Sequence, residues 1–556
     1  MATTAAAAVI SLLESLGVRR AYGLTGGPIA PFCDLLGRSR IESLHCRHES
    51  GAAFAALEDS LASGAPTAVF VTTGPGVTNA LTGMCAARWE GGRVLLISAS
   101  TSPREVGRRA FQETSEATLP SEGLFRAGAI FDDAWRIADP RELPAVARAL
   151  AQGLRRPQGW VGHLSLPIVV QTAPCERLEA KLCEPLETPL DRAAETCAEL
   201  LRGRDFAIWA GFGARAAAGE IVALAERTGA AVMCSPRGKG IFPEDHPQFV
   251  GVTGFGSHSG VKEYVSSAHP ERILVLGSRL GEFTSFWDPD LVPRGGFVHV
   301  DLDPNVPDAA FPGSTALAVR AEIGAFLRAL LGRLDTRAVP RPLRSAEPPK
   351  LAARADGPVR PVALLDAIQR CIVERTDAIV FTEAGNAFAW GSHGLRFRRP
   401  RYRTSTGWGS MGHATCGVIG AAKGRSGPAV ALVGDGAMLM QTEVSTAVQY
   451  GIPAAWIVMN DAQYGMIEQG MRALRLQPLE TSLPETDFAA WARSLGADGV
   501  RVLREAELDA ALAPIASLRR PLVVDVRIDA AEPAPFLRRI ESLLSQAVQP
   551  AQEVES

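Results

Sequence analysis

The sequence predicts an α/β protein built from three doubly wound domains with parallel sheets. Short apolar segments alternate with Ala- and Leu-rich helical segments along the whole chain, a pattern typical of parallel sheets covered by helices. Two stretches rich in proline and charge, residues 171–190 and 337–361, lack an apolar period and divide the chain into three parts of comparable size. We therefore expect domains at residues 1–170, 190–336 and 360–535 of this 556-residue chain.

The predicted strands are continuous apolar runs, as expected for strands buried on both faces. They read PTAVFVTT and GRVLLISA in the first part, DFAIWAG, RILVLGS and GFVHVDLD in the second, and DAIVFTE, PAVALVG and PLVVDVRI in the third. The segment MATTAAAAVISLLESLGV has no basic leader and carries Glu14, so it predicts a first amphipathic helix and no signal peptide. The segment after Arg527 predicts a polar helix and a disordered end, QPAQEVES.

Composition excludes several classes of partner. With 47% hydrophobic and 21% charged residues the chain is an ordinary globular protein, and its net charge of −3 gives no reason to expect nucleic acid or an anionic membrane as partner. No apolar run reaches the roughly 18 residues of a membrane span. The nine cysteines are dispersed without C-x-x-C spacing, which favours reduced thiols and a cytoplasmic location.

The third part contains two polar clusters at the predicted ends of neighbouring strands. The apolar run AVALV ends at Gly434-Asp435-Gly436, a helix is expected from about residue 439 to 450, and a second strand, AAWIVM, ends at Asn460-Asp461. Asp435 and Asp461 lie 26 residues apart, the length of one crossover between parallel strands. Two carboxylates with a main-chain carbonyl near Gln463 suit a hard cation that holds a diphosphate. Taken alone, Gly-Asp-Gly is equally typical of an ordinary turn between strand and helix.

The complete string resembles the motif of thiamine diphosphate enzymes, in which Gly-Asp-Gly is followed one crossover later by Asn-Asn. Asp461 replaces the second Asn, which keeps an oxygen ligand and adds a charge. The resemblance implies Mg²⁺ bound by Asp435, Asp461 and the carbonyl of Gln463, with diphosphate oxygens completing the coordination. The cofactor contacts that it implies around this motif are Gly434, Gly436, Ala437, Tyr464, Gly465 and Met466.

In the first part, the predicted strand IESLHC leads through Glu49 into the helix SGAAFAALEDSLASG. A carboxylate at a helix N-terminus is stabilised by typically about 0.3–1 kcal/mol, which is the structural alternative for Glu49. The string R-H-E-x-G-A resembles the activator motif of thiamine diphosphate enzymes. The resemblance implies that the Glu49 carboxyl bonds N1′ of the aminopyrimidine, whose 4′-nitrogen then removes the thiazolium C2 proton. His45 and His48 have no metal-ligand partner at useful spacing and are expected to be structural.

Further residues of the first part are implied by the same resemblance. The turn Gly74-Pro75-Gly76, with Asn79 and with Gly26 upstream, is expected to border the pyrimidine ring. The loop RRAFQETS is expected to place Phe111 and Gln112 near the reacting carbon.

The middle part carries GFGARAAAGE after a strand, which is similar to a dinucleotide fingerprint but with different glycine spacing. In acetohydroxyacid synthases, which this chain resembles, the corresponding domain binds FAD. Arg279 matches the first arginine of their Arg-Phe-Asp-Asp-Arg string, but the aspartates and the second arginine are absent, so FAD is doubtful. The resemblance implies that Arg279 receives a substrate carboxylate bidentately, and a surface salt bridge is the alternative.

The third part opens with FTEAGNAFAWGSHG, where Gly385 and Asn386 match residues that contact the diphosphate. The loop STGWGSMGHATCGVIGAA resembles the S-G-G-x-G-x-M-G stretch of acetohydroxyacid synthases. In it Gly409 is a cofactor contact, and Met411 matches the side chain that bends the cofactor into a V. His413 and Cys416 depart from the usual apolar residues.

These resemblances span nearly the whole chain and imply a carboligase like acetolactate synthase. It would decarboxylate a 2-keto acid such as pyruvate and add the resulting enamine to a second carbonyl. Such enzymes are homodimers or homotetramers with active sites shared between subunits. Three alternatives stay open: a simple 2-keto acid decarboxylase, which typically uses two adjacent histidines that this chain lacks; an acyl-transferring enzyme; and a catalytically silent homologue that acts as a subunit.

Overall fold

The computed structural model describes residues 3–115, 118, 124–128, 130–178, 180, 190–335, 354–440, 443–477 and 479–548. The inner parts of both predicted linkers and the predicted disordered end, residues 549–556, lie outside the described residues. Each of the three parts folds around its own six-stranded sheet, and every neighbouring pair of strands within these sheets is parallel. The predicted fold class is therefore confirmed.

The first domain has a sheet of order β3-β2-β4-β5-β7-β6. Its strands are β1 (Thr3–Thr4), β2 (Arg20–Gly23), β3 (Glu42–His45), β4 (Thr67–Val71), β5 (Arg93–Ser98), β6 (Asp133–Arg136), β7 (Trp160–Ser165) and β8 (Pro174–Cys175). Its helices are α1 (Ala5–Ser15), α2 (Ala30–Gly37), α3 (Glu49–Ser63), α4 (Pro75–Glu90), α5 (Leu143–Gly153) and α6 (Ile168–Gln171). β8 pairs with β1, so the chain still belongs to this domain beyond residue 170.

The middle domain has a sheet of order β11-β10-β9-β12-β13-β14. Its strands are β9 (Phe206–Ala210), β10 (Ala231–Cys234), β11 (Phe249–Val252), β12 (Arg272–Leu276), β13 (Phe297–Asp301) and β14 (Thr315–Arg320). Its helices are α7 (Asp191–Leu201), α8 (Ala218–Thr228), α9 (Ser259–Ala268), α10 (Glu282–Ser285) and α11 (Ile323–Leu331).

The third domain has a sheet of order β16-β15-β17-β18-β20-β19. Its strands are β15 (Ile379–Thr382), β16 (Tyr402–Arg403), β17 (Ala429–Gly434), β18 (Ala454–Asn460), β19 (Asp498–Val502) and β20 (Leu522–Arg527). Its helices are α12 (Pro361–Ile368), α13 (Asn386–Gly394), α14 (His413–Arg425), α15 (Asp435–Leu439), α16 (Glu443–Gln449), α17 (Gly465–Ala473), α18 (Phe488–Ser494), α19 (Leu508–Leu512) and α20 (Leu537–Val548).

The single helix expected at about residues 439–450 was wrong in its extent. One helix begins earlier, at Asp435, and ends at Leu439, and a second runs over Glu443–Gln449. The apolar pattern continues through Met438 and Met440, so periodicity alone gives no sign of this division. The early start matters for the site, because it places Asp435 in the first turn of a helix.

The first and third domains pack through α3 and α14. A Cβ built on Gly420 of α14 would lie 1.9 Å from the carbonyl oxygen of Ala55 on α3, so only glycine allows this approach. Gly417 and Gly424 lie one turn away on either side, and a Cβ there would lie 2.7 Å from Glu58 Cγ and 2.8 Å from Asp59 Oδ1 of α3. Asp59 is fully buried and is compensated by Arg20 and by the Tyr22 hydroxyl, 2.8 Å away. Within the described residues, no helix is long and apolar enough to cross a membrane.

Candidate active site

A cavity of about 220 Å³ lies at the carboxyl ends of β15, β17 and β18 in the third domain. Open parallel sheets bind ligands at this edge. Twelve predicted site residues line it: Gly385, Asn386, Met411, Gly434, Asp435, Gly436, Ala437, Asp461, Gln463, Tyr464, Gly465 and Met466. The structure thus brings together all but one of the residues singled out in this domain; Gly409 does not line the cavity.

Three helices begin at this cavity. α13 begins at Asn386, α15 at Asp435 and α17 at Gly465, and all three residues line the cavity wall. Free main-chain N–H groups and the helix dipole make each N-terminus attractive to an anion. Gly385, with φ +112°, and Gly434 have open space where a Cβ would stand, so a ligand can approach the backbone there. The cavity wall therefore favours a polyanion such as a diphosphate.

Two carboxylates stand at the same edge. Asp435 is buried. Its Oδ1 accepts a hydrogen bond of 2.8 Å from the main-chain N of Gly436, and its Oδ2 accepts one of 3.3 Å from the main-chain N of Gln463. Burial and the neighbouring Asp461 carboxylate raise the pKa of Asp435 to about 7. Burial also raises the pKa of Asp461, although Gln463 Nε2 donates to its Oδ2 at 3.2 Å. A divalent cation would relieve this repulsion and bridge the carboxylates to an anion.

A second cluster forms in the first domain. Glu49 is the first residue of α3, and its Oε2 accepts a hydrogen bond of 3.1 Å from Asn79 Nδ2 on α4. Gly74 precedes Pro75 at the start of α4 with φ +52°, and a Cβ there would lie 3.0 Å from the carbonyl oxygen of Gln112. The structure therefore brings these five predicted residues together around the start of α4.

Two further predicted residues, Gly26 and Phe111, lie near this cluster. Gly26 packs on Thr72, whose Oγ1 would be 2.5 Å from a Cβ at Gly26. Gln112 has φ +54°, and its side-chain oxygen accepts from Thr73 Oγ1 at 3.3 Å. Phe111 beside it is 89% exposed.

The two clusters do not meet within one chain. Of the first-domain residues that the structure describes, none lines the cavity of the third domain. Glu443 of α16 connects the third domain to the segment before Glu49. Its Oε1 accepts hydrogen bonds from the main-chain N of Arg47 at 3.0 Å and of His48 at 3.1 Å. Large apolar side chains lie exposed in both clusters and in the segments beside them: Phe111, Met411, Leu439, Met440, Tyr464 and Ile467.

Comparison with known families covers all three domains. Residues 3–119 match the N-terminal TPP binding domain of thiamine pyrophosphate enzymes, residues 193–330 match their central domain, and residues 383–526 match their C-terminal TPP binding domain. The chain belongs to the thiamine pyrophosphate enzyme family. It is a thiamine diphosphate-dependent enzyme of the acetolactate synthase-like group.

Curated relatives match along most of their length. A putative acetolactate synthase large subunit of Mycobacterium tuberculosis is 30% identical over 87% of this chain and 90% of its own length. A probable acetolactate synthase large subunit of Methanocaldococcus jannaschii is 27% identical over 96% and 93%. A probable 2-ketoarginine decarboxylase of Pseudomonas aeruginosa is 30% identical over 89% and 88%.

The residues of this thiamine pyrophosphate enzyme fit both the diphosphate and a metal ion. The carboxylates of the buried Asp435 and the half-buried Asp461, with a main-chain carbonyl, are the hard oxygen donors that Mg²⁺ prefers. The side-chain Oδ1 of Asn386 is buried in the same cavity wall and has no hydrogen-bond partner among the described residues, whereas its Nδ2 donates to Gln469 Oε1 at 3.4 Å, so the oxygen is available to a ligand.

Arg279 contacts the first domain and does not line the cavity. Its guanidinium stacks over the Trp89 ring, 5.4 Å from the centroid, and donates to the Trp89 carbonyl oxygen. Burial lowers its pKa. The Trp89 ring also packs on Gly407, where a Cβ would overlap the indole nitrogen. The arginine thus lies beside the loop that carries Met411, and its predicted role toward a substrate stays a prediction.

Sequence reasoning missed Glu383. This buried carboxylate follows β15 directly; its Oε1 accepts from Ala384 N at 3.0 Å, and its Oε2 accepts from Ala414 N at 3.0 Å and Thr415 N at 3.1 Å. It therefore joins the cavity loop after β15 to the first turn of α14. A polar residue at the carboxyl end of a buried strand is the same signal that identified Asp435, and it was available in the string FTEAGN.

Proposed function

We propose that this enzyme is a carboligase that decarboxylates a 2-keto acid such as pyruvate and adds the resulting carbanion to a second carbonyl compound. The observation that carries the proposal is the cavity in which three helix N-termini surround Asp435 and Asp461. When bound, thiamine diphosphate supplies the nucleophile and accepts the electron pair left when CO₂ departs. Two relatives, named a putative and a probable acetolactate synthase large subunit, support the carboligase activity.

The protein's own residues hold the cofactor at its two ends. Asp435, Asp461 and the Gln463 carbonyl would hold Mg²⁺, and the helix N-termini beside them would hold the diphosphate. Glu49 holds a proton at N1′ of the pyrimidine, and Asn79 keeps its carboxyl in place through the observed hydrogen bond. Met411, which lines the cavity, supports the bent cofactor.

Ligation is favoured over aldehyde release by the state of Glu113. The loop that carries Phe111 and Gln112 has Glu113 as its nearest ionisable side chain in sequence. Ser115 Oγ and Gly107 N donate to Glu113 Oε1 at 2.7 and 2.6 Å, and these hydrogen bonds lower the pKa of Glu113. An anionic carboxylate cannot protonate a carbanion, and the Gln112 amide carries no ionisable proton. A carbonyl acceptor then competes well for the carbanion.

A second candidate is a simple 2-keto acid decarboxylase. It is favoured by the relative named a probable 2-ketoarginine decarboxylase. Asp529 and Glu532 line the cavity as well, and such carboxylates attract a cationic group. Asp529 is paired with Arg354 at 2.6 Å, which reduces this attraction. We rank this candidate second.

We further propose a homodimer or homotetramer in which each active site combines Glu49 of one subunit with Asp435 of another. The separation of the two clusters in a single chain supports this arrangement, as do the exposed apolar side chains beside them. The described cysteines form no disulfide with one another, which supports a reducing compartment such as the cytoplasm.

The proposal is tested in two steps. Calorimetric titration with thiamine diphosphate, with and without Mg²⁺, should show metal-dependent binding, and a silent homologue would show none. The loaded enzyme is then incubated with pyruvate and a panel of aldehydes, 2-keto acids and acyl thioesters, and with 2-ketoarginine alone, and products are identified by mass. Ligation products support the carboligase, whereas release of aldehydes alone contradicts it.

A further inference from the structure

The loop that brings Met411 to the cavity, residues 405–412, is held at its first end by a carboxylate of the first domain. Ser405 Oγ donates to Glu90 Oε1 at 2.7 Å and accepts from Gly409 N at 3.0 Å. Glu90, which is buried, also pairs with Arg237 of the middle domain at 2.6 Å. All three domains therefore meet at the start of this loop.

The second end of the loop is held by another carboxylate of the first domain. His413, the first residue of α14, shares a hydrogen bond of 2.8 Å between its Nε2 and Glu58 Oε1. The imidazole also stacks on Phe54 of α3, with ring centroids 5.3 Å apart. The side chains of His413 and Glu58 are only 6% and 3% exposed, so water contributes little to either.

Several charged groups face this pair from the surrounding elements. Glu90 of α4 and Glu383 after β15 are the other acidic groups near the imidazole. Three basic groups near Glu58 are Arg403 of β16, with its Nε 3.7 Å from Glu58 Oε2, and Arg237 and Arg215 of the middle domain. Burial alone would lower the pKa of His413, but the hydrogen bond and charge of Glu58, with Glu90 and Glu383, raise it. Relative to a free histidine, these groups thus shift the equilibrium towards the imidazolium form.

We propose that His413 is a positioning residue: its imidazolium, bound to Glu58, fixes the loop 405–412 and so the place of the Met411 side chain in the cofactor cavity. The proposal rests on the proposed function, because Met411 has this role only if the cofactor binds here. The covalent path is short, since only Gly412 separates the two side chains along the chain. A displaced imidazole would shift the residue that supports the cofactor.

How firmly His413 holds the loop 405–412 is expected to depend on pH. A histidine whose pKa is raised in the folded protein stabilises the fold below its ordinary pKa of about 6.5, and this contribution is lost as the pH rises through the raised value. The loop is thus held firmly in mild acid and less firmly in alkaline solution. Replacing the His413 imidazole should abolish this change, and removing the charge of Glu58 should move it to lower pH.

The test compares the wild type with His413→Gln, which keeps a hydrogen-bonding side chain without the charge. Affinity for thiamine diphosphate with Mg²⁺ is measured by calorimetry from pH 6 to 9, together with the near-UV circular dichroism of the bound cofactor. At pH 6 we expect the wild type to bind the cofactor roughly tenfold more tightly than His413→Gln does, since the variant lacks a buried charged hydrogen bond. By pH 9 this difference between the two proteins should shrink. The dichroic signal should change in parallel.

The matched control is His299→Gln in the middle domain. His299 is also buried and hydrogen-bonded, but burial lowers its pKa to about 4, so it is neutral across this range. We expect the control to keep the wild-type pH profile. A control profile that changes as much as that of His413→Gln would overturn the proposal.

A second variant keeps the proposal testable if His413→Gln does not fold. Glu58→Gln retains His413 and a neutral hydrogen bond while removing the charge that holds the proton. We expect the loss of affinity to move to lower pH, because Arg403 and Arg237 then disfavour the imidazolium. The positioning role is overturned if the wild type binds the cofactor and the variants bind it equally well, or more weakly by the same factor at every pH. A wild type that binds no cofactor overturns the proposed function instead.

Discussion

Asn79 Nδ2 donates a hydrogen bond of 3.1 Å to Glu49 Oε2, and this contact joins the first turns of α3 and α4 in the first domain. Glu49 is 8% exposed, so its carboxyl is held in one place and is largely removed from water. A fixed carboxyl is suited to hold one proton at a ring nitrogen throughout a catalytic cycle. The geometry therefore supports the activating role proposed for Glu49.

Glu49→Gln should keep the fold and the bound cofactor but slow exchange of the cofactor's C2 proton by about 10²–10⁴-fold, since an amide cannot hold and release this proton. NMR of the bound cofactor in deuterated buffer measures the rate. Asn79→Ala serves as the companion variant and should slow exchange less, because the carboxyl remains. Exchange at the wild-type rate in Glu49→Gln would remove Glu49 from the mechanism.

Asp435→Ala should weaken Mg²⁺-dependent binding of thiamine diphosphate by roughly 100-fold, the effect of losing a charged ligand. Calorimetric titration at fixed Mg²⁺ measures the affinity. The matched control is Asp461→Asn, which restores the asparagine usual in the family and keeps an oxygen ligand. It should bind nearly as well as the wild type. Unchanged affinity in Asp435→Ala would contradict the metal assignment.

Mixed assemblies of two inactive chains should regain activity if the active sites are shared. Chains carrying Glu49→Gln and Asp435→Ala are co-expressed with different tags and purified over both. Each mixed dimer has one site with both residues intact, so we expect about half of the wild-type activity. The control is the same procedure with two Glu49→Gln chains. Activity no higher than that of either parent would show that Glu49 and Asp435 act within one chain.

The purified enzyme should lack stoichiometric flavin. Arg279 is retained from the string of the flavin-binding acetohydroxyacid synthases, but the aspartates and second arginine after it are absent, and Arg279 itself is engaged by Trp89. The visible absorption spectrum, with extraction of any bound chromophore, measures the flavin content. One FAD per chain would show that the middle domain binds flavin through other contacts.

The sequence was informative where chemistry follows directly from strand ends. Asp435 and Asp461 follow two buried apolar runs one crossover apart, and β17 and β18 are indeed neighbours in the sheet. Glu49 and Asn79 were recognisable only through family motifs, because their contact depends on how two helices cross. The pair of Glu58 and His413 was not predictable, since 355 residues separate the partners and neither stands in a motif of its own.

We expect the enzyme to join two carbonyl compounds instead of releasing an aldehyde. The most direct measurement supplies pyruvate alone to the enzyme loaded with thiamine diphosphate and Mg²⁺, and determines acetolactate and acetaldehyde in the same sample by mass. Because Glu113 is held as an anion by Ser115 and Gly107, we expect acetolactate or a related acyloin to exceed acetaldehyde. Acetaldehyde as the dominant product, even after a good acceptor is added, would contradict the account and make Glu113 the first residue to mutate.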